Sequence, residues 1–272
     1  AGALLGPAGL AAQADSGLAV RTVRFYRAET GQTQVTAFIR IPYGFLEPTG
    51  APGLQPKLAF GLTVRVADSA GGVLYEQTWH KEVHPAAPGR MNGLDMIRFA
   101  LDSGAYVFTA IVKDAATGLQ VRESIPVAAY PRHPRLSDLL LSREIRPVAP
   151  GDSIPRPGIV RRGNLLLEAA AMVVVPSTQP VLHYLMESYL DGPAEGTVML
   201  RVEDAMGEVL REVPASGVYV AEGTAVLTGR LDLLGLSPGA YSLAATVQLG
   251  TRTFARRAPF WIAQVGEAIG RR

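Results

Sequence analysis

The chain has 272 residues, of which 48% are apolar and 18% are charged, and its formal net charge is +2. This apolar content excludes bulk disorder, and a nearly neutral chain with scattered arginines does not favour nucleic acid as a partner. The sequence contains no cysteine, which excludes disulfides, thiolate nucleophiles, cysteine-ligated zinc and covalent haem attachment. The length fits two domains of roughly 100–130 residues each.

The chain begins with a small, apolar segment that covers residues 1–17. Its first letters, AGALLGPAGLAAQA, end in the Ala-x-Ala form that is typical of a signal-peptidase site. The segment is too short to cross a membrane as a helix. We interpret it as an export-signal-like segment or a tether, and a flexible tail is the alternative. Its leucines, which we expect to contact a partner subunit or a membrane interface, are Leu4, Leu5 and Leu10.

Residues 18–128 are predicted to form a first β domain. Short stretches of alternating apolar and polar residues are separated by turns rich in Gly, Asp and Pro, and they show no helical period. Residues 58–66 and 73–79 flank a glycine turn, which predicts a β-hairpin. About seven short strands in regular succession are typical of an antiparallel sandwich.

Residues 129–164 are predicted to be a Pro-rich connector. The wider stretch from Tyr130 to Leu167 contains six prolines, which exclude a helix interior or a central strand at those positions. One apolar run, from Leu136 to Leu141, interrupts it. We therefore expect a semi-rigid spacer between two domains.

Residues 165–263 repeat the pattern of the first domain, and residues 264–272 are predicted to be a C-terminal tail. The stretch VRVADSAGGVLYE returns as LRVEDAMGEVLRE, and LDSGAYVFTAIV returns as LSPGAYSLAATV. Tyr106 corresponds to Tyr241 in this repeat. Such a long repeat indicates tandem domains and not a solenoid unit. The predicted fold is all-β: two tandem immunoglobulin-like antiparallel β-sandwich domains joined by the Pro-rich connector.

The residues that carry chemistry do not form a catalytic pattern. The sequence has no G-x-S-x-G elbow or Walker loop, and its aspartates occur mostly in turns, where they accept local backbone hydrogen bonds. His80 and His84 lie about 13 Å apart in an extended chain, which is too far to share one ion. We therefore predict no catalytic residue, no metal and no cofactor. A less favoured alternative is a calcium ion held at the domain junction by Asp138, Glu144 or Asp152.

Five aromatic side chains are candidates for an exposed recognition patch. Tyr43, Phe45 and Trp79 are the residues of the first domain that we expect to bind a partner. Phe260 and Trp261 are the candidates in the second domain. Core packing is the commoner fate of aromatic residues, so a purely structural role is the competing interpretation.

Three short motifs resemble a known family. They are V-R-V-x-D-x-x-G-x-V, G-A-Y-x-x-x-x-x-V and L-S-D-L-L-L-S, and with the two β modules they are similar to the N-terminal region of the GWxTD-domain family. The resemblance covers most of residues 20–263, although the Gly-Trp-x-Thr-Asp motif that names the family is absent. It implies an exported bacterial protein with this domain plan, and it supplies no catalytic residues.

The function favoured by these patterns is that of a non-enzymatic, extracytoplasmic structural or interaction protein. Two sandwiches at a fixed angle form a bracket whose loops and edge strands contact protein subunits of a membrane-associated assembly. The resemblance further implies an accessory subunit of a bacterial photosynthetic reaction-centre–light-harvesting complex that ligates no pigment itself. The N-terminal segment, residues 1–17, is the expected place of any peripheral membrane contact. The alternatives are a carbohydrate- or peptide-binding β-sandwich module of the cell envelope and, less favoured, a hydrolase.

Overall fold

The computed structural model describes residues 17–50, 57–84, 92–131, 133–152, 158–168 and 170–264. These residues contain eighteen strands and one short 3-10 helix, so the predicted all-β class is confirmed. The helix is Tyr43–Phe45, and the strands are β1 (Ala19–Arg27), β2 (Gln32–Pro42), β3 (Leu58–Asp68), β4 (Val73–Val83), β5 (Asn92–Leu101), β6 (Ala105–Asp114), β7 (Gln120–Ala128), β8 (Leu140–Ser142), β9 (Ile145–Pro147), β10 (Ile159–Arg162), β11 (Leu165–Glu168), β12 (Val173–Pro176), β13 (Val181–Leu190), β14 (Ala194–Asp204), β15 (Val209–Val220), β16 (Gly223–Asp232), β17 (Gly239–Leu249) and β18 (Arg252–Ala263).

Strands β1 to β7, which we call the first half, form two antiparallel sheets. One sheet has the order β1-β2-β5 and the other has the order β4-β3-β6-β7. Successive side chains of a strand point to opposite faces, so the alternating apolar residues of β3 all lie on one face. Buried side chains from both sheets meet in one hydrophobic cluster, the first core, which shows that the two sheets face each other. Its members include Phe60, Phe108, Leu18, Ile39, Ile41 and Leu62.

The second half, formed by β8 and β12 to β18, has the same plan with one addition. A three-stranded sheet has the order β16-β13-β8, and a five-stranded sheet has the order β12-β18-β17-β14-β15. Strand β12 is the addition, and it pairs with β18 in parallel while the other pairs are antiparallel. Both sheets contribute to a second core, whose members include Leu136, Leu141, Leu182, Met186, Tyr241 and Phe260.

The repeat seen in the sequence has a structural counterpart in two tyrosines. The Tyr106 hydroxyl donates a hydrogen bond to the Asp102 carbonyl at 3.1 Å, and the Tyr241 hydroxyl donates one to the Ser237 carbonyl at 2.6 Å. Each tyrosine lies near the start of its strand and reaches back to the carbonyl four residues earlier. Tyr106 and Tyr241 therefore make equivalent hydrogen bonds in the two halves.

The first hairpin of each half is also built in the same way. The Asp68 carboxylate accepts hydrogen bonds from the backbone N–H groups two and four residues later, and Asp204 does the same. Gly71 and Gly207 adopt φ angles of 88° and 86°, a left-handed conformation that glycine takes without steric cost. The turn chemistry that the sequence predicted is thus present in both hairpins.

Replacing Tyr241 with Phe should lower the free energy of unfolding by about 1 kcal/mol. The substitution keeps the ring in the second core and removes only the hydroxyl that binds the Ser237 carbonyl. Urea unfolding followed by circular dichroism measures the change. Tyr219→Phe is the control, since Tyr219 is 70% exposed and its substitution should be neutral. Equal effects in the two variants would contradict a stabilising role for the Tyr241 hydroxyl.

The structure differs from the sequence-based prediction in residues 129–164. Leu136, Leu139 and Leu141 are buried in the second core, and β8 pairs with β13 as an edge strand of the second half. Strands β9, β10 and β11 form a further three-stranded sheet of order β10-β11-β9, the junction sheet. The predicted boundary between residues 164 and 165 therefore falls inside a sheet, and the segment is not a simple spacer. Pro147 is compatible with this because it lies on the edge strand β9.

The two halves are joined by a third hydrophobic cluster. The β1-β2-β5 sheet places its second face against the junction sheet and against β8 and β13. This third core contains seven side chains that are as fully buried as those of the other two cores. They are Val23, Phe25, Phe38, Leu140, Val160, Leu167 and Leu185. Both faces of the β1-β2-β5 sheet are therefore covered.

Candidate functional site

A polar cluster at the rim of the third core ties β1 to the segment that precedes β8. The Arg24 guanidinium donates to the Asp138 carboxylate from Nε at 2.8 Å and from Nη2 at 2.7 Å. The Arg24 backbone N–H also donates to this carboxylate at 2.9 Å, and the Asp138 N–H donates to the Arg24 carbonyl at 3.1 Å. The Arg24 side chain reaches the Ala128 carbonyl as well. This paired geometry fixes both the distance and the orientation of the two segments.

Tyr130 lies against this ion pair. Its hydroxyl donates to Asp138 at 3.0 Å, its N–H donates to the Thr33 hydroxyl at 2.7 Å, and the Arg24 guanidinium lies 4.7 Å from its ring centroid. Burial, and then the Asp138 charge, raise the pKa of Tyr130, with Arg24 opposing. Tyr130 therefore stays protonated and remains a hydrogen-bond donor.

A second polar group lies further along the same junction. The Tyr189 hydroxyl donates to the Glu187 carboxylate at 2.9 Å and accepts from the Tyr26 N–H at 2.8 Å. The Ser137 hydroxyl accepts from the Glu187 N–H at 2.8 Å. Burial, followed by the Glu187 charge, raises the pKa of Tyr189. These contacts connect the first half, the predicted connector and the second half through one chain of hydrogen bonds.

Arg162 from the junction sheet also belongs to the polar cluster. Its guanidinium stacks on the Phe25 ring at 3.5 Å from the centroid and donates to the Gln34 side-chain carbonyl at 3.0 Å. Glu187 lies 3.9 Å from the same guanidinium nitrogen. Burial lowers the pKa of Arg162, and the Glu187 charge opposes the shift. A stacked arginine of this kind contributes packing as well as charge.

Two further arginines bind backbone carbonyls of the predicted connector. Arg256 donates to the carbonyls of Leu136 and Ser137, both at 2.7 Å, and Arg21 donates to the Leu139 carbonyl at 3.2 Å. Burial lowers the pKa of Arg21 to about 10. These arginines donate to carbonyl groups of an irregular, proline-flanked segment, which helps that segment lie inside the protein.

The arrangement as a whole is a network of hydrogen bonds and ion pairs that links the two halves. The carboxylates of Asp138 and Glu187 accept hydrogen bonds from buried or partly buried donors of the same chain. Their oxygens accept from arginine and tyrosine groups. The cluster holds two β units at one relative orientation, and we regard it as the candidate functional site.

The aromatic residues predicted to bind a partner lie elsewhere. Tyr43, Phe45 and Trp79 are partly buried and pack against the first core. Trp261 is 38% exposed on β18, and Phe260 next to it is buried in the second core. The structure therefore does not bring the five aromatics together as one exposed patch. Leu4, Leu5 and Leu10 lie outside the described residues.

The residues considered for metals are also separate. His80 lies within β4, and His84 directly follows that strand. Asp138 is paired with Arg24, and Asp152 is paired with Arg146. In the part of the chain that the structure describes, no three His, Asp or Glu side chains are grouped as a metal site would require.

Sequence reasoning missed the junction residues. Arg24, Tyr130 and Glu187 showed no motif, because each has at least one hydrogen-bond partner between 50 and 114 positions away. One available signal was Asp138 within the apolar run LSDLLLS, since a carboxylate so placed needs a partner.

The described residues include no helix with the length and hydrophobicity of a membrane span. No protein-family model matches the sequence, and no curated protein matches it significantly.

Solved structures that align with the chain include three large proteins. Red sea bream transglutaminase aligns over 91% of this chain and 31% of its own, with 12% identity and a TM-score of 0.26. A biofilm-associated protein BSP domain aligns over 91% and 30%, with 11% identity and a TM-score of 0.30. A calcium-binding mutant of Bacteroides uniformis beta-glucuronidase 2 aligns over 84% and 26%, with 11% identity and a TM-score of 0.30. The chain spans less than a third of each, and this likeness supports no conclusion about function.

Proposed function

We propose that the chain is a rigid bracket that stabilises a larger membrane-associated assembly at the extracytoplasmic side. The bracket consists of two tandem immunoglobulin-like domains, held at a fixed angle by the third core and the polar cluster around it. Its partners are protein subunits, and it performs no catalysis. The assembly we favour, on the resemblance to the GWxTD-domain family, is a bacterial photosynthetic reaction-centre–light-harvesting complex.

The immunoglobulin-like assignment is supported by strand order. Each half has a three-stranded sheet facing a larger sheet, with the connections of a Greek key, and every pair except β12–β18 is antiparallel. Tyr106 and Tyr241 each make the back-bond of a tyrosine corner, a feature of many immunoglobulin-like sandwiches. In the second half, β8 and β12 divide the first strand between the two sheets.

The observation that carries the proposal is the third core. Interfaces between domains of one chain are usually polar, and relative motion is then the default. Here the seven side chains of the third core are each no more than 2% exposed. Arg24 and Asp138 shield its rim, with side chains only 27% and 20% exposed. Rotation of one half against the other would expose this apolar surface and separate the ion pair. A fixed angle is the property that a scaffold between subunits requires.

The first test measures the angle directly. The sequence has no cysteine, so spin labels can be attached to Leu119→Cys in the first half and Met206→Cys in the second, both exposed turn positions. We expect one narrow distance distribution between the labels. A broad distribution in the otherwise unchanged protein would refute the rigid bracket.

The second test concerns the assembly. A tagged full-length chain, purified from native membranes and analysed by mass spectrometry, should retain membrane-protein subunits in fixed ratio. The matched control is the same chain carrying Asp138→Asn. In this variant the angle between the two halves should no longer be fixed, so the yield of these subunits should fall. Retention on glycans or peptides, with no subunit recovered, would support the envelope-binding alternative.

A further inference from the structure

Strand β15 has a free edge in the part of the chain that the structure describes. It is the last strand of the five-stranded sheet, and its one neighbour among the described strands is β14. A bulge at Pro214 and Ala215, where the register jumps between Val198 and Leu200 of β14, divides the strand. Residues 216–220, which follow the bulge, pair regularly with β14 from Val198 to Ala194. We call residues 216–220 the open edge.

The backbone of the open edge is arranged to accept another strand. The Glu195 carbonyl binds the Gly250 N–H, so the backbone groups of Glu195 point towards β17. Backbone groups alternate along a strand, so those of Gly196 point towards β15 and meet Val218. It follows that the N–H and C=O groups of Gly217 and Tyr219 point outward, away from the sheet.

The first half shows how such an edge is normally protected. Strand β4 occupies the equivalent edge, and its register against β3 places Lys81 where β15 has Val218. By the same registers, His80 is equivalent to Gly217 and Glu82 is equivalent to Tyr219. Charged side chains on an edge strand oppose pairing with another strand, and the open edge has none.

We propose that the open edge pairs antiparallel with the open edge of a second copy of this chain. The pairing has two-fold symmetry about Val218, so each Val218 faces the other and each Tyr219 faces Gly217 of the second copy. It joins the two five-stranded sheets into one continuous sheet. This inference concerns only the second half and goes beyond the bracket function.

Three properties favour a second copy as the occupant. A two-fold pairing places each residue opposite a residue of the same short segment, and an uncharged segment meets no like charge. Tyr219 is 70% exposed, and its ring would cover the backbone of Gly217, where a side chain would meet no atom within 4 Å. Val218 is partly buried against the second core, and pairing extends that core across the interface.

Cross-linking through one introduced cysteine tests the register. Because Gly217 and Tyr219 point outward, Val218 faces its copy as a non-hydrogen-bonded pair with Cα atoms about 4.5 Å apart, within the range of a disulfide. We expect Val218→Cys to form a covalent dimer under mild oxidation, which reductant reverses. Lys81→Cys, at the equivalent position of β4, is the control and should stay monomeric. No covalent dimer from Val218→Cys, or equal yields from both variants, would overturn the proposed pairing.

Sedimentation equilibrium of the full chain tests the association itself. The unmodified protein should show a concentration-dependent dimer. Val218→Lys, which copies the residue of the protected edge, should raise the dimer dissociation constant by about 100-fold or more, since two like charges would face each other. Its circular dichroism spectrum at monomeric concentration should remain that of the parent, which shows that the variant is folded. A protein that stays monomeric at all concentrations, or a dimer that Val218→Lys does not weaken, would contradict the proposal.

Discussion

Replacing Asp138 with Asn is expected to lower the free energy of unfolding by about 3–5 kcal/mol. The side chain keeps its shape but loses its charge, so Arg24 is left as an uncompensated, largely shielded cation. Asn also presents an amide group with two N–H donors where the carboxylate accepted from Arg24 and from the Tyr130 hydroxyl. At least one of these partly buried donors then has no acceptor.

Urea unfolding at neutral pH measures this loss. The matched control is Glu212→Gln, which removes the charge from an arginine–carboxylate pair with Arg201 whose side chains are 41% and 51% exposed. Exposed pairs of this kind contribute less than about 1 kcal/mol. If Asp138→Asn costs no more than the control, the ion pair does not hold the junction.

Replacing Phe38 with Ala is expected to have a comparable effect, about 3–5 kcal/mol, for a different reason. Phe38 is fully buried in the third core, between the two halves and away from the first and second cores. Truncation leaves a cavity at the junction, so the interaction between the halves weakens while each half keeps its own core. The two halves should then unfold at different urea concentrations.

The two tryptophans make this separation measurable. Trp79 packs against the first core and Trp261 lies on β18 of the second half, so variants that keep only one of them report each half separately. In the parent chain both reporters should follow one transition, and in Phe38→Ala they should diverge. Leu119→Ala, at a side chain 63% exposed, is the control and should leave the transitions together. Coincident transitions in Phe38→Ala would show that the halves are not coupled through the third core.

These two variants also separate the stability of the junction from the role of the protein. Both leave the open edge of β15 untouched, so dimer formation through Val218 should persist in them. Association with membrane-protein subunits should weaken in both, because the proposed bracket needs a fixed angle. A variant that loses association with the subunits and still forms the dimer would show that the two properties depend on different parts of the protein.

The sequence by itself determined the local structure of this protein. Alternation of apolar residues predicted most strands, and Asp and Gly in the hairpin turns predicted where β3 and β14 end. The repeat predicted that Tyr106 and Tyr241 occupy equivalent positions, which their matching hydrogen bonds bear out. These signals are readable because side-chain direction and turn conformation depend on residues close together in the chain.

Only the tertiary structure decided how the two halves are joined. The prolines of residues 129–164 indicated a spacer, yet Leu136 and Leu141 are buried in the second core and β8 pairs with β13. Asp138 meets Arg24 across 114 positions of the chain, and such a distant contact leaves no periodic trace in the sequence. The face of a sheet that carries a second layer is likewise set by packing, because the burial of Phe38 depends on strands far away in the chain.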